Sequence, residues 1–142
     1  MRYLSIDLGD KRTGLALGDS ITNLTSPLKL IEIDINHADG ETLLRALDDA
    51  WRDEAGTDAA IVMGLPLNAD GTESPRSKLV RAFAKRLGER TGAEVILHDE
   101  RRSSMAADEK MARSGLTHAQ KKRRRDAIAA AAILQSYLDE QR

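Results

Sequence analysis

Three carboxylates stand where a structural role is hard to supply, and as a group they could carry out phosphoryl chemistry. Asp7 ends the alternating run Tyr3-Leu4-Ser5-Ile6-Asp7. Such a run reads as a strand, whose interior disfavours Asp, and a buried carboxylate is costly unless paired or metal-bound. Its plainer role is a solvent-facing cap on the turn that follows. Glu100 lies in His98-Asp99-Glu100-Arg101, where alternation puts Ile96, His98 and Glu100 on one face. Its plainer role is a surface ion pair with Arg101 or Arg102. Asp126 opens the last apolar-patterned segment, where capping a helix N-terminus would explain it. Yet it shares a helical stripe with Ala129, Ala130, Ile133 and Tyr137, the stripe that must face the sheet. Brought together, the three acids repel unless a cation joins them. Oxygen-only ligands suit one or two Mg²⁺ or Mn²⁺ ions, and a pair of such ions can clamp the attacking and leaving oxygens of an in-line phosphoryl displacement.

Elements must exist to bring these residues together. Met1 to Leu8 reads as a strand, with Tyr3, Ser5 and Asp7 on one face and Leu4, Ile6 and Leu8 on the other. Gly9 to Arg12 is a turn into a second strand, Thr13 to Asp19, making an antiparallel hairpin. Pro27 to Ile33 is a third strand. Glu41 to Ala55 carries apolar residues at helical spacing and stops at Gly56. Asp58 to Met63 is a continuous apolar strand, of the kind covered on both sides. Ser74-Pro75 caps and opens a helix with Leu79, Val80, Phe83, Ala84 and Leu87 inward. Ala93 to His98 is a fifth strand. Arg102 to Arg113 is read as a helix capped near Gly115, Thr117 to Arg125 as a basic connection, and Asp126 to Leu138 as the final helix. The order βββαβαβα predicts an α/β fold, a five-stranded mixed sheet with helices on both faces, in one domain over residues 1–142.

Composition removes several classes of function. The 142 residues include no Cys, which excludes disulfides, thiolate zinc sites and cysteine nucleophiles and fits a reducing cytoplasm. Aromatics make up 3%, too few for a stacking platform on single-stranded nucleic acid. The N-terminus lacks the pattern of a signal peptide and no apolar run suits a membrane helix, so no membrane association is expected. His37, His98 and His118 show no metal-ligand spacing, and His98 reads as a hydrogen-bonded structural residue before it reads as a helper of Glu100. Gly9, Gly14 and Gly18 do not open a helix, so a dinucleotide or P-loop site fails its context. The formal net charge of −1 conceals a split: residues 1–75 carry 6 basic and 14 acidic side chains, residues 76–142 carry 16 and 9. A basic second half suggests a polyanionic partner.

Four blocks resemble a known family. Asp7 to Ala16 (Asp-Leu-Gly-Asp-Lys-Arg-Thr-Gly-Leu-Ala) resembles the opening motif of the YqgF family of Holliday junction resolvases, or pre-16S ribosomal RNA nucleases. Gly64 to Thr72 resembles its central loop, His98 to Ser104 its Asp-Glu-Arg block, and Asp126 to Leu138 its C-terminal helix. The blocks stand in family order across nearly the whole chain. The resemblance implies a ribonuclease H-like fold similar to the RuvC resolvases, with acidic metal ligands at Asp7, Glu100 and Asp126. Two departures stand out: Arg102 where the family usually has an aliphatic residue, and Ala69 where it usually has Met. Neither removes a proposed ligand.

A nucleic-acid substrate also fits the basic residues. Lys11 and Arg12 lie in the hairpin turn, Arg101 follows Glu100, and Lys121, Lys122, Arg123, Arg124 and Arg125 abut Asp126. Such contacts to phosphate supply affinity with little sequence information. The leading expectation is a cytoplasmic, Mg²⁺- or Mn²⁺-dependent nuclease acting on structured RNA, in particular the 5′ end of pre-16S ribosomal RNA, as a monomer or homodimer. Two resolvase-fold alternatives are a Holliday junction resolvase acting on branched DNA and a non-catalytic nucleic-acid-binding module. A third is an actin-like ATP-binding domain, which also begins on a hairpin with Asp-x-Gly but needs a second domain to close over the nucleotide.

Overall fold

The computed structural model describes residues 1–102 and 117–141. Its centre is a sheet of five strands: β1 (Arg2–Asp7), β2 (Thr13–Asp19), β3 (Leu24–Ile31), β4 (Ala60–Leu65) and β5 (Val95–Asp99). Their order across the sheet is β3-β2-β1-β4-β5. The first three meander antiparallel, and β1, β4 and β5 run parallel. Parallel strands need a crossover, and helices supply it. Helix α1 (Glu41–Ala50), extended by a wider turn over Trp51–Ala55, joins β3 to β4, and α2 (Pro75–Thr91) joins β4 to β5. Helix α3 (His118–Glu140) lies on the opposite face.

Strand alternation sorts the side chains between the two faces. Leu4, Ile6, Leu15, Ile61 and Met63 are buried beneath α1 and α2, against Leu43, Leu47, Val80, Phe83 and Leu87. Leu79, expected on the same face of α2, is instead exposed, because the buried stripe runs through Val80, Phe83, Ala84 and Leu87 and leaves it about a quarter-turn to one side. The other face carries Tyr3, Ala60 and Val62 against Ile133, Leu134 and Leu138 of α3. Small residues let this helix lie close: Ala16 meets Ala130 and Ala131, and the Ser5 hydroxyl donates to the Ala130 carbonyl at 2.7 Å. Asp7 follows Tyr3 and Ser5 in the same parity, so it faces α3. The Ile96 and His98 positions of β5 share that face.

Strand β4, flanked by β1 and β5, is buried along its whole length, as a continuous apolar run requires. Helix α2 begins with a reciprocal cap. The Ser74 hydroxyl accepts from the Ser77 amide at 2.9 Å, while Ser77 Oγ accepts from the Ser74 amide at 2.8 Å. Ser74 Oγ also donates to the Pro66 carbonyl at 2.6 Å, tying the β4–α2 loop to the helix. Ser74→Ala is therefore expected to cost about 1–2 kcal/mol, read as a lower urea midpoint with an unchanged m-value.

The structure departs from the sequence-based boundaries in one place that matters. The predicted connection over Thr117 to Arg125 is helical from His118, so α3 starts eight residues before Asp126. Ala, Gln, Lys and Arg are all strong helix formers, and no Gly or Pro interrupts 118–126. The acid is thus two turns inside the helix, and capping or macrodipole arguments do not account for it. The third strand is also shifted, starting at Leu24 rather than Pro27. As β3 is an edge strand, Pro27 is tolerated inside it, opposite Ala16 where the register slips. Strands β4 and β5 each start two residues later than predicted. The helix expected over Arg102 to Arg113 lies, after Arg102, outside the described residues.

Candidate active site

The site lies where the parallel strands end, the edge at which ligands gather in open α/β sheets. Asp7 is the last residue of β1. Its antiparallel partner in β2 is Gly14, and Gly64 of β4 falls opposite it one step beyond the Ile6–Met63 pair. Asp7 is therefore flanked by two glycines, and each admits one of the other acids. A Cβ on Gly14 would stand 1.9 Å from the Asp126 carbonyl oxygen and 2.7 Å from the Ala127 amide nitrogen. The bare Gly14 is what lets the α3 backbone rest on the sheet at Asp126. A Cβ on Gly64 would stand 2.8 Å from Glu100 Oε2 and 2.7 Å from the Ile133 side chain. Glu100, in a short turn just past β5, reaches into that gap. A glycine inside a strand signals close approach of another chain segment, and this is the signal by which both could have been found.

The charges respond to this placement. Burial, followed by the neighbouring Glu100 and Asp126, pushes the Asp7 carboxyl up from its ordinary 3.8 to about 7, with Arg76 pulling the other way. Burial also raises Glu100, again opposed by Arg76. Asp126 is partly exposed and has the Arg12 guanidinium at 3.7 Å. Asp7 thus feels both other acids. Among the described residues, however, no three carboxylate or histidine side chains close into a formed metal cage. The donor set fits a hard divalent ion that keeps much of its water and meets substrate phosphate, as Mg²⁺ does. It consists only of oxygens, and at its central carboxylate the cost of burial outweighs the pull of Arg76.

The basic residues divide. Lys11 and Arg12 are exposed on the β1–β2 turn, where they line an open cleft of about 770 Å³ with Gly9, Asp10, Glu32 and Asp34. Arg124 and Arg125 are exposed on α3, one turn or less before Asp126. The side chains of Lys121, Lys122 and Arg123 lie outside the described residues. Arg101 is engaged within the protein. Its Nη2 meets Asp99 at 2.6 Å, and its Nη1 donates to the Ala69 carbonyl at 2.9 Å. This clamps the loop after β4 to the end of β5. The loop is further held by Asn68 Nδ2, which donates to Thr72 Oγ1 at 3.0 Å. Because the Arg101 contacts are exposed, Arg101→Ala should cost less than about 1 kcal/mol of global stability. It should instead speed amide hydrogen exchange at residues 67–72, measured by mass spectrometry.

His98 packs against the C-terminal half of α3, with Nδ1 3.8 Å from a Glu140 carboxylate oxygen. It is buried, with Nε2 2.9 Å from Ser136 Oγ and its ring edge-on to Tyr137. Burial lowers its pKa, so it is a neutral part of the sheet–α3 packing. Arg102 pairs with Glu140 at 2.6 Å, at the far end of α3 from Asp126. One residue escaped the sequence reading altogether: Arg76, in the first turn of α2, donates from Nη2 to the Leu8 carbonyl at 2.8 Å and pairs with Asp10. Nothing in the spacing of the chain announces it, since only the crossover of α2 brings it to β1.

A mixed β3-β2-β1-β4-β5 sheet with acids at its parallel-strand edge defines a ribonuclease H-like domain of the RuvC resolvase type. The solved structures agree in fold. A fowlpox virus resolvase in complex with Holliday junction DNA superposes with a TM-score of 0.60 at 18% identity, covering 99% of each chain. RuvC of T. thermophilus in complex with a Holliday junction substrate gives a TM-score of 0.59 at 15% identity, covering 99% of this chain and 95% of that one. Residues 1–140 match the family described as RuvX, Holliday junction resolvase, and the chain belongs to that family. Curated relatives include a protein of Anaeromyxobacter sp., 41% identical over 98% of this chain and 97% of its own length. Another, from Geobacillus kaustophilus, is 40% identical over the full length of both. A third, from Escherichia coli, is 38% identical over 96% of this chain and 95% of its own. All three carry the name "Putative pre-16S rRNA nuclease".

Proposed function

We propose that this protein is a divalent-metal-dependent nuclease of the cytoplasm that hydrolyses phosphodiester bonds in structured RNA, processing the 5′ end of pre-16S ribosomal RNA. The observation that carries the reading is the Asp7 carboxylate, sunk at the end of β1 within reach of the charges of Glu100, just past β5, and Asp126 of α3. A fold does not need such an arrangement, and a phosphate-binding module would be hindered by it. The names of the relatives favour RNA. The family description favours a second reading, cleavage of four-way DNA junctions.

Asp7, Glu100 and Asp126 would hold the metal. When bound, Mg²⁺ or Mn²⁺ supplies a Lewis acid for the phosphoryl group and neutralises charge that develops on its oxygens. The chain's own residues do the rest. Asp7 would have to be ionised to hold the ion, and its raised pKa would make the site sensitive to pH near neutrality. Glu100 is fixed by the Gly64 gap and Asp126 by the seat of α3 on Gly14. Lys11 and Arg12 on the turn, with Arg124 and Arg125 on the helix, receive backbone phosphates on two sides of the acids. The Arg101-clamped loop forms the rim.

The test is cleavage of a pre-16S precursor fragment and of a four-way DNA junction, in EDTA and in Mg²⁺ or Mn²⁺. Metal-dependent cleavage of the RNA, with the junction intact, is expected. Preferential cutting of the junction would transfer the reading to the second substrate. Cleavage that survives EDTA, or that is unchanged in Asp7→Asn, would overturn the mechanism.

A further inference from the structure

The acidic site has a cation that none of the sequence motifs supplied. Arg76 is anchored in the first turn of α2, whose start is set by Pro75 and the Ser74–Ser77 cap. Its guanidinium crosses to the β1–β2 turn, donating to the Leu8 carbonyl at 2.8 Å and pairing with Asp10. Leu8 is the residue after Asp7, so the group sits on the rim of the acidic cluster, and its charge bears on Asp7 and Glu100 together.

The pairing with Asp10 explains little as a structural device. The Asp10 side chain is 74% exposed and that of Arg76 is 32% exposed. Ion pairs in such surroundings contribute little to stability. Asp10 also lines the open cleft next to Lys11 and Arg12. A guanidinium has five N–H donors in a planar fork suited to phosphate, and its hydrogen bonds among the described residues use two of them. The geometry is that of a cation held ready by a weak, solvent-facing carboxylate that a phosphate can displace.

We propose that Arg76 is a phosphate-binding residue of the nucleic-acid cleft, held at the rim of the Asp7–Glu100–Asp126 cluster by Asp10 and the Leu8 carbonyl. It deepens the nuclease reading and rests on it for the identity of the ligand, a nucleic-acid backbone. The Lys11 and Arg12 turn approaches the site from the hairpin, and Arg76 approaches from α2. A backbone lying across the parallel-strand edge would meet cations on both flanks of the acids.

The experiment measures binding separately from cleavage. In an Asp7→Asn background, fluorescence anisotropy with a labelled RNA stem-loop and a labelled four-way DNA junction is recorded across a salt series. Adding Arg76→Ala should weaken binding about tenfold at low salt for both ligands and reduce the slope of log K against log salt by about one. Arg76→Lys should restore the slope with part of the affinity. Asp10→Asn should keep the slope and bind at least as tightly, since it releases the guanidinium. Thermal melting of each variant confirms that it is folded. Equal affinity and slope with and without Arg76 would overturn the proposal. So would equal weakening by Asp10→Asn, which marks a mere staple, or a parent protein that binds neither ligand. The nuclease reading fails on a different result, namely no metal-dependent cleavage by the unsubstituted protein.

Discussion

Asp7→Asn is expected to raise the stability of the metal-free protein while removing its activity. The folded carboxyl titrates at about 7 against an ordinary 3.8, so the folded state binds the proton more tightly than the unfolded chain. The stability that protonation contributes is fully present below about pH 3.8 and is lost as pH rises through 7. At pH 8 the ionised Asp7 therefore costs the fold up to about 4 kcal/mol. Asparagine keeps the shape without the charge, and its melting midpoint at pH 8 should lie roughly 10 °C above that of the parent. The gap should shrink steadily as pH falls below 7 and vanish near pH 4. Divalent metal should reverse the order, since an ion that binds only the native site stabilises by mass action. Mn²⁺ should raise the parent's midpoint and leave Asp7→Asn nearly unmoved. Nuclease activity should fall on the order of 10³-fold, the equivalent of losing several kcal/mol of metal assistance. Calorimetric melting at pH 8 and pH 5, with and without Mn²⁺, checks the stability half. A destabilised Asp7→Asn at pH 8 would show that Asp7 is instead a structural group.

The same linkage bears on activity. Asp7 would have to be ionised to hold a divalent ion, so at limiting Mn²⁺ activity should climb with pH through about 7, and saturating metal should move that midpoint downward.

Gly14→Ala is expected to have a large structural effect for a single methyl group. The added Cβ would meet the Asp126 carbonyl oxygen at 1.9 Å and its carbon at 2.1 Å. Both are backbone atoms inside a helix and cannot swing away. Either α3 lifts off the sheet or β2 bends, and the cost should be about 3 kcal/mol or more, seen as a lower urea midpoint. Whatever fraction folds would hold Asp126 farther from Asp7 and should have lost nuclease activity. Gly64→Ala makes the instructive contrast. Its obstacles are the ends of two side chains, Glu100 Oε2 at 2.8 Å and Ile133 Cδ1 at 2.7 Å. These can yield, so stability should fall by less than about 1.5 kcal/mol while displacement of Glu100 cuts activity. Equal stability losses in the two variants would mean that α3 is not seated through Gly14.

Much of this arrangement is carried by local patterns. Alternation in β1 determines that Asp7 shares a face with Tyr3 and Ser5, and alternation in β5 puts Ile96 and His98 on that face, with Glu100 following in the turn just past the strand. The apolar run of β4 announces a strand covered on both sides, and Ser74-Pro75 announces the start of α2. These features depend on neighbours two to four residues away, and such information survives in a linear chain. The strand–helix order and the four family-like blocks were also readable.

Other features only the tertiary structure decided. The start of α3 at His118 was missed because an acid before an apolar stripe looks like a cap, whereas helix propensity runs unbroken through the basic residues before it. Arg101 reads as a phosphate contact from its place beside Glu100, yet it is turned onto Asp99 and the Ala69 carbonyl by the loop that folds over it. His98 faces Ser136 because β5 and α3 cross there. Arg76 and the two glycines flanking Asp7 acquire their meaning from segments more than 30 residues distant. Residue types single out the three acids, and alternation sets the sheet face of Asp7. The packing of α3 and α2 on that sheet decided which groups meet, because contact between distant segments is set by the sum of the burial around them and leaves no local periodicity to read.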